Sequence, residues 1–343
     1  MTQEAVLRHS AKLASAATAV TVNAPGRLHL GFLDPGASLG RRFGSLGLVL
    51  DGLITSLDAR LSDDDDDHYA APPFARGDLP RIRAHVSMLK RLTGCRDPID
   101  IRLRHALPAH AGLGSGTQLA LTTGLAFARL HGLALDASQI ARALSRGGRS
   151  GVGVAGFERG GLILDGGPRA ATELPPVLAR FEFPDEWRVL LVFDDTRSGL
   201  SGNAEHKAIA ELPPFPQALA AHACHLTLMQ ILPAAAEHDF TPFAQGVSEL
   251  QANVGNYFSR SQGGVYTSPE VAQVLGWLGT RYRAGIGQSS WGPTGFAIMQ
   301  SQEEAAHAVS AARKAGVVDP SLRLEVVKGR NSGATVSRAP AGD

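Results

Sequence analysis

The sequence predicts an α+β protein of two domains. Strand and helix patterns mix along the chain without the regular βαβ alternation of a doubly wound sheet. The length of 343 residues exceeds a typical single domain of roughly 100–200 residues. A hydrophobic content of 44% against 19% charged residues supplies enough apolar side chains for sizeable cores. The formal net charge of +1 excludes a whole-chain basic field for nucleic acid and leaves a local basic pocket open. Cys95 and Cys224 match no metal spacing and read as reduced thiols of a cytoplasmic protein. No apolar run approaches the roughly 18 residues of a membrane span, so no membrane association is expected.

Residues 1–17 are rich in Ala and Ser, lack the apolar stretch of a secretory signal, and read as a loosely ordered leader. Residues 18–22 form a strand, 23–26 (Asn-Ala-Pro-Gly) break it, and 27–32 resume it. Residues 46–50 are a short apolar strand, and 54–61 alternate as its partner. Asp63 to Asp67 are consecutive carboxylates whose repulsion favours a solvated loop; no calcium-loop glycine and closing glutamate follow them. Residues 80–93 read as a helix with Ile82, Val86 and Leu89 on one side. A strand at 99–103 leads to a glycine-rich loop, then helices at 117–130 and 137–144 and a strand at 160–165.

Pro175 and Pro176 mark the boundary between a first domain, 18–175, and a second, 176–335. In the second, 188–193, 296–300 and 322–327 read as strands. Residues 217–232, 240–258, 269–282 and 303–315 read as helices. Residues 336–343 read as a disordered tail.

The chemistry concentrates in glycine-rich turns. In Pro108-Ala-His-Ala-Gly-Leu-Gly-Ser-Gly116, the glycines at 112, 114 and 116 let backbone approach a ligand. The following helix offers unpaired N–H groups and a positive dipole end, a site for an anion such as phosphate. The loop is neither a Walker A loop nor a G-x-G-x-x-G fingerprint. A second turn, 147–153, contains Arg149, a permanently charged planar donor for phosphate. A third turn spans 288–295. Each could instead be a purely structural turn.

Three segments together resemble the motifs of the GHMP superfamily: 23–31 (Asn-Ala-Pro-Gly-Arg-Leu-His-Leu-Gly), 108–116, and 290–296. The resemblance implies an N-terminal domain with a left-handed βαβ crossover, a C-terminal ferredoxin-like domain, and a ligand site between them. GHMP kinases usually carry Ser-Ser where this chain has Ser115-Gly116, and many carry a catalytic aspartate where it has Gly153. Gly-Leu-Gly-Ser-Gly-Thr-Gln-Leu at 112–119, Arg-Gly-Gly-Arg-Ser-Gly-Val-Gly at 146–153, His225-Leu-Thr-Leu-Met229 and Trp291-Gly-Pro-Thr294 are similar to the β-ribofuranosylaminobenzene 5′-phosphate synthase family of tetrahydromethanopterin biosynthesis.

That resemblance implies a decarboxylating phosphoribosyltransferase. Phosphoribosyl pyrophosphate would join 4-aminobenzoate or 4-hydroxybenzoate, releasing pyrophosphate and CO2. Gly112, Leu113, Gly114, Ser115, Gly116 and Thr117 would hold phosphate, with Arg149, Ser150, Gly151, Ser290, Gly292 and Thr294 around them. Arg27 would neutralise the leaving group, and His29 would act as acid or base near the para substituent. His110, Ser201, His206 and Lys207 are further candidates. Residues 190–195 with Ser198, Gly199 and Ser201 are similar to the motif of type I phosphoribosyltransferases, although the spacing is one residue short; that likeness would put Asp194 and Asp195 on ribose or metal. Magnesium (Mg2+) is expected with the substrate, its protein ligands are not indicated, and no organic cofactor is expected. Small molecules are the expected partners, with a homodimer as the assembly. An ATP-dependent kinase and a non-catalytic phosphate-ligand sensor are the alternatives.

Overall fold

The computed structural model describes residues 18–170, 173–200 and 202–339. Its first sheet grows from a long antiparallel pair, β1 (Ala19–Asp34) and β2 (Phe43–Leu61). The short β3 (His68–Ala70) runs parallel to β4 (Ile99–His105), with helix α1 (Leu79–Thr93) crossing between them as a βαβ unit. Helices α2 (Ser115–Leu130), α3 (Ala137–Ala143) and α4 (Val152–Arg159) follow. Strand β5 (Leu162–Asp165) pairs with the first half of β2, while β4 pairs with its second half. Strand β6 (Val177–Phe181) pairs with β5.

The second sheet begins with β7 (Arg188–Asp194). Helices α5 (Gly202–Ala210), α6 (Gln217–Leu226), α7 (Leu232–Ala236), α8 (Phe240–Gln262) and α9 (Pro269–Gly279) come next. A five-residue π-helical turn, Thr227–Ile231, joins α6 to α7. Then come β8 (Gly285–Gln288), β9 (Gly295–Met299), α10 (Gln302–Lys314) and β10 (Leu322–Lys328). The sheet is antiparallel in the order β10-β7-β9-β8. A last strand, β11 (Thr335–Ala339), returns to the first sheet.

Burial on both faces explains the unbroken apolar run of β7. Leu190 and Val192 pack toward α9 and α10, against Val271, Val274, Leu275 and Ala305. Val189, Leu191 and Phe193 face the other way, onto Phe243, Val247 and Leu250 of α8. That second core also contains Leu28 and Leu30 of β1 and Leu46 and Leu48 of β2, so one apolar cluster spans both sheets. Each such side chain contributes roughly 1.5–3 kcal/mol on burial, which fixes the geometry of the cleft between the sheets.

The structure corrects several expectations. Strand β1 runs through Asn23 to Gly26 without a break, because bulges between Pro25 and Arg27 and between His29 and Gly31 absorb the irregularity. Residues 46–50 and 54–61 are parts of one strand, not partners; Gly52, at φ 83°, carries the chain through. The boundary expected at 175/176 falls inside the first sheet, because β6 stays hydrogen-bonded to β5. Residues 336–339, in the expected tail, are paired with β1. The expected leader, 1–17, lies outside the described residues, as do 340–343.

Asp67 is not merely solvated. It accepts from Lys90 Nζ at 2.6 Å and from the Ile99 N–H at 2.9 Å, and these bonds hold its carboxyl below the usual range against the effect of burial. One helical run, Gln217–Ala236, is apolar and long enough to cross a membrane, contrary to the sequence reading. Its buried residues, among them Leu226, Ile231 and Leu232, pack into the core shared by the two sheets.

Candidate active site

The glycine-rich loop leaves β4 and turns into α2 at Gly114, whose φ of 79° is left-handed. The Thr117 and Gln118 N–H groups both bond back to the Gly114 carbonyl, which closes the first helical turn. Three loops interlock here, backbone on backbone. A Cβ on Gly112 would stand 2.0 Å from the Ser289 carbonyl oxygen, and one on Gly292 would stand 2.2 Å from the Ala111 carbonyl carbon. Ser289 Oγ donates to the Gly112 carbonyl at 2.8 Å and accepts from the His29 N–H at 2.9 Å. Gly112 and Gly292 are therefore required by loop packing, whatever the ligand.

Gly114 and Gly116 face cations instead. The Cβ position of Gly114 lies 3.2 Å from Arg27 Nε. That of Gly116 lies 2.9 Å from Arg81 Nη2 and 3.7 Å from Arg146 Nη1. Sequence reading missed Arg81 and Arg146. Arg81 sits in an ordinary amphipathic helix with no local signal of function, and Arg146, which opens the family-like stretch 146–153, was passed over there for Arg149.

A cleft of about 670 Å3 lies over this helix start. Arg27, Arg42, Arg146, Arg149 and Arg169 line it, and Glu205 is the carboxylate on its wall. Glu205 pairs with Arg149 through two contacts, 2.7 and 2.6 Å. Arg27 donates from Nη1 to the Gly112 carbonyl and from its backbone N–H to the Leu113 carbonyl at 3.1 Å. Burial, with Arg149 nearby and partly offset by Glu205, lowers the Arg27 pKa to about 10, so it remains a cation at neutral pH. Its Nε has no partner among the described residues.

His29 is 3% exposed and borders the cleft. Burial first, then the charges of Arg27 and Arg149, hold its pKa well below 6.5. Its Nδ1 accepts from the Gly31 N–H at 3.3 Å, which places the ring proton on Nε2. Among the described residues Nε2 has no partner. His29 is thus a neutral donor at the edge of the cleft.

The turn at Ser150 and Gly151 is held from behind by Asp165, which is fully buried. Its Oδ2 accepts from Ser45 Oγ at 2.6 Å and from the Gly151 N–H at 2.8 Å; its Oδ1 accepts from the Gly167 N–H at 2.9 Å. Burial pushes the Asp165 pKa up, and these bonds oppose the shift. Gly153 lies in α4, with its Cβ position 3.2 Å from Thr117 Cγ2. A side chain there would reach the start of α2, and this chain has no carboxylate at that place.

The structure separates other candidates from the cleft. Leu113 is fully buried in the core. Thr294 is also fully buried, and its carbonyl closes the third turn by accepting from the Ser289 N–H. His110 is exposed, and its carbonyl accepts from Gly199 N. Asp194 accepts from Thr196 and pairs with Arg197 at 3.1 Å, while Asp195 pairs with Arg323 at 3.2 Å. Neither aspartate lines the cleft. Lys207 is exposed beside Glu211. Ser201 and the His206 side chain lie outside the described residues.

Residues 81–161 match the GHMP kinases N terminal domain, and 231–318 match the GHMP kinases C terminal domain. The chain is 32% identical to the beta-ribofuranosylphenol 5′-phosphate synthase of Methanothermobacter thermautotrophicus, over 91% of this chain and 97% of that one. It belongs to that family. The synthase of Archaeoglobus fulgidus is 33% identical over 81% of this chain and 87% of its own. Among solved structures, the homoserine kinase of Cytophaga hutchinsonii superposes with a TM-score of 0.67 at 17% identity, over 95% of this chain and all of that one. Mevalonate diphosphate decarboxylase of Staphylococcus aureus superposes with 0.66 at 13%, over 94% and 98%. The family shares the two-domain fold with these enzymes.

Proposed function

We propose that the chain joins phosphoribosyl pyrophosphate to 4-hydroxybenzoate or its 4-amino analogue, giving a C-riboside 5′-phosphate on the tetrahydromethanopterin pathway. The phenol in the relatives' name favours the hydroxy acid. The observation that carries the reading is the cleft itself: arginines converge on the start of α2, and the position of α4 that faces Thr117 there, 153, is glycine and not a base. A kinase acting on an alcohol gains from a base there; displacement of pyrophosphate by a ring carbon needs cations instead.

The bonds balance without a protein nucleophile. The C1–oxygen bond to pyrophosphate breaks, and its electrons leave with the phosphate. The ring carbon bearing the carboxylate bonds to C1, pushed by the para oxygen. The bond to the carboxylate then breaks, CO2 departs, and its electrons restore the ring. Arg27, Arg81 and Arg146 stabilise the anion that forms, and Arg149 joins them when phosphate displaces Glu205.

Magnesium would arrive on the diphosphate as part of the substrate. Among the described residues no three His, Cys, Asp or Glu side chains converge, and Glu205 is held by Arg149. We therefore assign magnesium to the substrate phosphates. Incubation with phosphoribosyl pyrophosphate and carboxyl-labelled 4-hydroxybenzoate tests the reading. Equal release of labelled CO2 and pyrophosphate is expected; turnover of ATP without either would refute it.

A further inference from the structure

Among the described residues, Glu205 is the one carboxylate lining a cleft that carries five arginines. Gly202, Glu205 and Ile209 border the cleft at a spacing of three and four, so one face of α5 forms this wall. Ile209 anchors that face by packing with Phe32, Phe43, Phe258 and Trp291. Glu205 is 9% exposed, and both its oxygens meet Arg149: Nη2 donates to Oε2 at 2.7 Å, and Nη1 stands 2.6 Å from Oε1. Its charge also supports the cation of buried Arg27. A carboxylate at this place opposes phosphate binding. It repels the ligand's anions and occupies a cation that they would use.

A carboxylate gains where the ligand turns positive. Phosphoribosyl pyrophosphate has one such place. As the C1–oxygen bond breaks and its electrons leave with pyrophosphate, C1 and the ring oxygen share a positive charge until the aromatic carbon supplies electrons. The ribose joins the diphosphate to the 5′-phosphate, so a carboxylate among the phosphate-binding arginines lies against the sugar. Resting on the cleft as the phosphoribosyl pyrophosphate site, we propose that Glu205 is the counter-charge for the ribosyl cation. Before substrate binds, Arg149 masks the carboxylate. When a phosphate takes Arg149, Glu205 is left to face the sugar, so substrate binding itself arms the group. Glu205 weakens the ground state and favours the transition state, which raises kcat rather than affinity. A residue that only held Arg149 in place would do the reverse. It would serve phosphate affinity, and glutamine could replace it.

Glu205→Gln tests this, since it keeps the shape and one oxygen for Arg149 and removes the charge; thermal melting checks its fold. Its kcat for pyrophosphate release should fall about a hundredfold. Its affinity for pyrophosphate alone, by isothermal titration, should rise about threefold or more. Glu205→Asp should recover part of kcat. A second titration reads the cation without turnover. The probe is an iminoribitol 5-phosphate, whose ring nitrogen carries a positive charge, added with pyrophosphate. The wild type's preference for it over ribose 5-phosphate should fall about tenfold or more in Glu205→Gln. A folded Glu205→Gln with kcat within about twofold of an active wild type, or with weakened pyrophosphate binding, overturns the counter-charge and leaves the cleft reading standing. A wild type that releases no pyrophosphate from phosphoribosyl pyrophosphate overturns the cleft reading. The second titration then decides Glu205 by itself: a preference lost in the variant supports the proposal, and an equal or absent preference overturns it.

Discussion

Gly114 gives the sharpest test of the loop. At φ 79° any L-residue is strained, by roughly 1–2 kcal/mol for alanine. The added Cβ would also sit 3.2 Å from Arg27 Nε and 3.4 Å from its Cζ, so the guanidinium must shift. Shifting it weakens the bond from Arg27 to the Gly112 carbonyl and moves a cation that borders the cleft. A hydrogen bond to a charged group is worth about 1.5–3 kcal/mol. If phosphoribosyl pyrophosphate draws on the same cation, its KM should rise roughly ten- to a hundredfold. Gly114→Ala should lie near the lower figure and Gly114→Val near the upper, because a β-branched chain tolerates this φ less. The assay is steady-state pyrophosphate release at varied phosphoribosyl pyrophosphate and saturating aromatic acid, beside thermal melting. A folded Gly114→Val with unchanged KM would refute both the loop's contact with the diphosphate and the role of Arg27.

Other outcomes follow from the same geometry. Arg81→Ala and Arg146→Ala should each raise KM for phosphoribosyl pyrophosphate about tenfold, and their double variant should fall short of additivity in free energy because they share one position over Gly116. Gly153→Asp should cut phosphoribosyl pyrophosphate affinity about tenfold or more, since it sets a carboxylate beside Thr117 in a cleft built for anions; isothermal titration would measure it. Burial, with Arg146 and Arg81 nearby, lowers the His85 pKa to about 4. Between 6.5 and that value the unfolded chain binds a proton that the folded chain does not, so stability falls as pH drops through the window, by on the order of 3 kcal/mol in total. Urea unfolding at pH 7 and pH 4.5 should show the loss, and His85→Gln should reduce it.

Where periodicity was strong, the sequence was legible. Helix α1 and strand β4 emerged from Ile82, Val86 and Leu89 and from Ile99, Ile101 and Leu103, because each set lies on one buried face. The glycine loop and His29 emerged because their residue types are costly without a purpose. Bulges and pairings did not, since they depend on partners distant in sequence: β2 reads as two strands until β4 and β5 are seen to share it. The cation pair at Gly116 was hidden for the same reason, because Arg81 and Arg146 meet only through the fold. Asp194 and Asp195 misled in the opposite direction; a local likeness cannot show that their partners are Thr196, Arg197 and Arg323.

The return of β11 to the first sheet has a consequence for engineering and for descent. Ala19 and Ala339 are register partners, and the pairing continues to Asn23 and Thr335. A fragment ending after β6 would expose the backbone N–H and C=O groups along one side of β1, an open edge that invites self-association. The two halves are thus spliced into each other, and neither can be exchanged for a homologous half by a single crossover between them. A circular permutant joining 339 to 19 through a short turn, with new ends in an exposed loop such as Asp63 to Asp66, would keep every strand pairing intact.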